Sequence, residues 1–113
     1  MAKMIVFFLI FSALLLNAHA PKSLELSYDA EAAALSIKVL HKVSNQDRHF
    51  IKRISVYSGN ELLVEKTYER QDTTAAQEEL FLFLDKPLAK GTAVRVTAVC
   101  NVFGKKSADL QWD

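Results

Sequence analysis

The chain has 113 residues, with 14 Lys and Arg against 13 Asp and Glu. So slight a net charge projects no long-range field, which argues against nucleic acid or an anionic membrane surface as a partner. Cys100 is the one cysteine, so no internal disulfide can staple the fold.

Lys3 gives a positive start, residues 5–16 are almost unbroken apolar sequence, and Ala18-His19-Ala20 follows as a small-x-small step. That layout predicts a secretory signal peptide over residues 1–20, because the apolar run is short for a bilayer-spanning helix. Pro21 stands just after the expected scissile bond, where proline is disfavoured. The mature chain, residues 21–113, then forms one small domain that is periplasmic or secreted, with no later membrane span. Removing Lys3 leaves its positive and negative residues equal in number.

Period-2 alternation dominates the rest. Leu24, Leu26 and Tyr28 alternate with Glu25 and Ser27, and Asp29-Ala30-Glu31 reads as a turn. Leu35, Ile37 and Val39 share the face of a second strand. Ile54 and Val56 alternate with Ser55 after Phe50-Ile51, and Ser58-Gly59-Asn60 signals a hairpin into a strand over residues 62–68. Residues 70–78 are polar and read as a loop, with one helical turn open to Ala75-Ala76-Gln77-Glu78. Residues 80–84, Leu-Phe-Leu-Phe-Leu, read as a strand buried on both faces. Pro87 and Gly91 mark a turn region, Val94, Val96, Ala98 and Cys100 share one strand face, and Gly104-Lys105-Lys106 turns the chain. Ala108, Leu110 and Trp112 alternate to the end. About seven short strands and no amphipathic helix predict an all-β, two-sheet immunoglobulin-like sandwich.

Gly-rich phosphate loops, G-x-S-x-G elbows and paired C-x-x-C knuckles are missing. What remains is His41, His49 and Cys100. His41 ends one expected strand, His49 begins the next across a polar loop, and Cys100 ends a third. Imidazole and thiolate donors at strand ends could converge on iron, copper or zinc. The alternatives are that the histidines are loop residues and that Cys100 is a core residue.

The run His41 to Tyr57, H-K-V-S-N-Q-D-R-H-F-I-K-R-I-S-V-Y, together with Cys100-Asn101-Val102-Phe103-Gly104, resembles the superoxide reductase iron domain of the neelaredoxins and desulfoferrodoxins. The resemblance implies an immunoglobulin-like sandwich in which four histidines and one cysteine thiolate hold a ferrous ion that reduces superoxide, with an electron donor or other partner protein. Carried over by position, it makes His41 and His49 two of the histidines and Cys100 the thiolate. Phe103 stands where that pattern has another histidine, no histidine lies between Pro21 and Leu40, and Arg53 replaces a tryptophan. Three of five ligands are therefore present, so any iron site and its enzymatic activity would be reduced or altered. Phe103 is expected beside the donors, filling the space of a fourth. The run Arg48 to Lys52, R-H-F-I-K, also resembles the small immunoglobulin-like subunit of the periplasmic thiosulfate-oxidation carrier complex, which implies a non-enzymatic binding module without metal.

Overall fold

A computed structural model describes residues 20–112, so the predicted signal peptide lies outside the described residues except for Ala20. Seven strands form: β1 (Ser23–Asp29), β2 (Ala34–Leu40), β3 (Ile51–Ser58), β4 (Glu61–Thr67), β5 (Ala76–Leu82), β6 (Ala93–Cys100) and β7 (Lys105–Gln111). They make two antiparallel sheets, β1-β2-β5 and β4-β3-β6-β7, stacked as a sandwich. No helix among the described residues is long and apolar enough to cross a membrane.

Alternation produces the core. Leu35, Ile37 and Val39 of β2 and Phe81 of β5 in one sheet cluster with Ile51, Ile54 and Val56 of β3 and Val94, Val96 and Ala98 of β6 in the other. Burying each of the larger side chains contributes about 1.5–3 kcal/mol. One parity problem had to be solved. Ile51 and Ile54 are three apart, which should put them on opposite faces of a regular strand. Both are fully buried, because the pairing of β3 with β6 shifts between Ile51 and Arg53. The extra residue of this bulge, Lys52, is exposed and lets the strand return its apolar face to the core. The bulge also sets Ile51 opposite Cys100, at the end of the sandwich where the candidate donors lie. At the other end, the β3–β4 hairpin turns through Gly59, whose φ of 60° suits a residue without a Cβ.

The fifth strand departs from expectation. It begins at Ala76 and not at Leu80, and Ala75 to Glu78 form no helical turn. The Thr73 hydroxyl accepts hydrogen bonds from the Ala75 and Ala76 amides, and Asp72 accepts from Glu78, so the chain enters the sheet early and pairs Ala76 with Leu40. Because the sandwich has two layers, β5 is buried on one face only. Gln77, Glu79 and Phe81 point inward, whereas Leu80, Leu82 and Leu84 are each more than half exposed.

Both flanks of the sandwich are closed by aromatic side chains. On one, Tyr28 of β1 packs against Trp112 beyond β7, with ring centroids 5.1 Å apart. On the other, the Tyr68 hydroxyl donates to Glu79 at 2.7 Å, and Lys66 reaches the same oxygen at 3.0 Å. Burial pushes the Tyr68 phenol well above its usual range, and the Glu79 acceptor adds to the shift. Burial alone would raise the Glu79 carboxyl too, but hydrogen bonds from Tyr68 and Lys66 hold it below the ordinary value. A depressed native pKa means that this clasp stabilises the fold fully above the unfolded carboxyl pKa of about 4.3 and loses that contribution as pH falls through the lower, native value. Thermal unfolding followed from pH 7 to pH 3 should therefore show a smaller acid-side loss of Tm in Glu79→Gln than in the wild type. An unchanged acid limb would mean that the clasp does not set it.

Candidate metal centre

His41 follows β2 directly and is buried, with 3% of its surface exposed. Its orientation is fixed by a residue the sequence did not single out, Gln71, which is fully buried. The Gln71 Nε2 donates to the carbonyl oxygens of His41 at 2.7 Å and Thr73 at 2.9 Å. Its Oε1 accepts from the Ile51 amide at 3.3 Å. These three contacts settle which end of the amide is which. The atom 2.7 Å from His41 Nδ1 is thus an acceptor, and Nδ1 must carry the proton that it receives. In the neutral ring the lone pair then resides on Nε2, which is buried and has no hydrogen-bond partner among the described residues. A buried imidazole held through Nδ1–H with its Nε2 lone pair bare is the arrangement found behind metal-binding histidines.

His49 comes from the loop between β2 and β3. Asn45 folds this loop: its side chain accepts from the Asp47 amide, and its carbonyl accepts from the amides of Arg48 and His49. Gln46 ties the loop to the segment after β4 by donating to the carbonyls of Gln71 and Asp72. Asn101, next to Cys100, grips the chain on both sides of His49. Its Oδ1 accepts from the Phe50 amide at 2.8 Å, and its Nδ2 donates to the Arg48 carbonyl at 2.9 Å. A backbone bond from the Asn101 amide to the Phe50 carbonyl completes the clamp.

Cys100 ends β6 with its thiol buried. Its amide donates to the Gly104 carbonyl, and its Sγ accepts from the Val102 amide at 3.4 Å. Gly104 has a φ of 92°, in the left-handed region that favours glycine, and makes the tight turn after Cys100. His49 Nε2 lies 3.1 Å from Cys100 Sγ, and the rings of His41 and His49 meet edge to face with centroids 4.7 Å apart. One donor atom from each of His41, His49 and Cys100 lies within 4.8 Å of the others.

The structure thus brings together the three side chains that the sequence singled out. Phe103 sits in the turn after Cys100 and is 48% exposed. Arg53 faces Glu65 at 3.6 Å, an exposed pairing on the outer face of β3.

Neither a family model nor a curated protein sequence matches this chain. Solved structures do resemble it. A hypothetical protein from Pyrococcus horikoshii superposes with a TM-score of 0.57 at 18% identity, covering 83% of this chain and 89% of its own. Superoxide reductase (neelaredoxin) from Ignicoccus hospitalis gives 0.56 at 14% identity, covering 82% and 80%. The same enzyme from Archaeoglobus fulgidus in its reduced form gives 0.52 at 15% identity, covering 85% and 90%. The chain has the fold of superoxide reductases. At these identities the likeness concerns the fold.

Proposed function

We propose that this protein is an exported domain of superoxide-reductase-like fold that binds a single transition-metal ion through His41, His49 and Cys100. The observations that carry the reading are the buried Nε2 of His41, without a hydrogen-bond partner among the described residues, and the approach of one donor atom from each of His41, His49 and Cys100 to within 4.8 Å. A polar atom removed from water without a partner costs about 1–3 kcal/mol, and a metal ion would relieve that cost. Iron is the metal that the sequence resemblance implies, and the solved neighbours named above include superoxide reductases. The fit to that iron centre is incomplete, because it calls for four imidazoles and a thiolate. The described residues supply two imidazoles and one thiol. The function is therefore metal binding, with superoxide reduction weak or lost.

Export rests on the sequence pattern of residues 1–20, and mass spectrometry of the exported protein should find a chain starting at or near Pro21. Metal analysis of protein purified without chelator should find a transition metal, and Cys100→Ser should remove most of it. The same metal content in wild type and Cys100→Ser would refute the site.

A further inference from the structure

The mismatch with a five-ligand ferrous centre has a chemical direction. We propose that the ion this cluster is built to take is monovalent copper, a reading that rests on the metal site proposed above and names its occupant. Three properties of the cluster point the same way.

The first is number. Among the described residues the cluster comprises two imidazoles and one thiol, without Asp or Glu. Ferrous ion bound by these three would leave two or three positions to water, and zinc would still need a fourth ligand. Monovalent copper is satisfied by three donors, and a trigonal arrangement of two histidines and one cysteine is an established copper geometry.

The second is charge. When the metal binds, the Cys100 S–H bond breaks, its proton leaves to solvent and a sulfur–metal bond forms. One thiolate cancels one positive charge. Cu(I) with this thiolate and two neutral imidazoles is neutral, whereas a divalent ion leaves one uncompensated positive charge. His41 and Cys100 are both buried, and residual charge is costly there. The nearby carboxylate Asp47 is exposed and paired with Arg70.

The third is softness and second contacts. A thiolate is the donor that selects Cu(I) over harder ions. The Val102 amide points at Cys100 Sγ, and Gln71 holds His41 with Nε2 as the free donor, so both supporting contacts are in place before any ion arrives.

The test is an anaerobic titration of the metal-free chain against chromogenic chelators. Cu(I) is expected to be withheld from its chelator at a single equivalent. Fe(II) and Zn(II) should be held at least about 100-fold more weakly. Cys100→Ser should lower the Cu(I) affinity by about 100-fold or more, and His49→Ala, checked for a native circular dichroism spectrum, by about 10-fold or more. Ferrous ion bound as tightly as Cu(I) would overturn the copper assignment and leave the metal site standing. Cu(I) bound equally by both variants would place it at other residues and overturn it as well. A chain that retains none of the three ions removes the assignment and the metal site together.

Discussion

Gln71→Ala is expected to destabilise the protein by about 3–4 kcal/mol and to weaken metal binding by about 10–100-fold. The side chain is fully buried and makes four hydrogen bonds, to His41 Nδ1, the His41 carbonyl, the Ile51 amide and the Thr73 carbonyl. Truncation leaves those groups without their partner in a space that can admit only some water, and each unpaired group costs about 1–3 kcal/mol. The two consequences have one cause. Without an acceptor at Nδ1, the His41 ring can carry its proton on either nitrogen, and the tautomer with Nε2 protonated cannot bind a metal through Nε2. Urea unfolding measures the first effect and chelator competition the second. A loss of stability with unchanged metal affinity would show that Gln71 serves the fold alone.

The second large effect is expected at Asn101. Asn101→Ala removes the side-chain bonds to the Phe50 amide and the Arg48 carbonyl and frees the segment that carries His49. Metal affinity should fall by about 10–100-fold, while stability falls by only about 1–2 kcal/mol, since the Arg48 carbonyl can turn to solvent. Asn101→Asp keeps the acceptor for Phe50 and loses the donor to Arg48, so its affinity should lie between those of wild type and Asn101→Ala. If Asn101→Asp bound metal no better than Asn101→Ala, the clamp would depend on the Arg48 contact alone. The ratio of metal loss to stability loss separates the two positions: Gln71 serves fold and site together, whereas Asn101 chiefly serves the site.

These two amides also mark the limit of what the sequence made legible. Alternation located most of the strands and the two-sheet architecture, because a half-buried strand must repeat its apolar residues every second position. It failed at β5, where Leu80, Leu82 and Leu84 looked like interior residues and face outward. Whether a sheet is covered on one face or on both is set by the layering of the whole fold, which a local window does not contain. Similarly, Ile51 and Ile54 conflict in parity until the bulge at Lys52 is known. His41, His49 and Cys100 stood out because histidine and cysteine are few in this chain. Gln71 carried no such signal. It lies in a polar stretch that reads as loop, and its partners His41 and Ile51 are 30 and 20 residues away.

The candidate donors border one end of the apolar interior: His41, His49, Cys100, Asn101 and Phe103 stand at or beyond strand ends, and the core reaches them through Ile51, which pairs with Cys100. Phe103, half in solvent on the turn between Cys100 and Gly104, is the clearest case: exchanging it for a polar residue disturbs no packed neighbour in the core cluster. Exchanging the side chain at that turn, including for a further donor such as histidine, is therefore expected to cost the fold little.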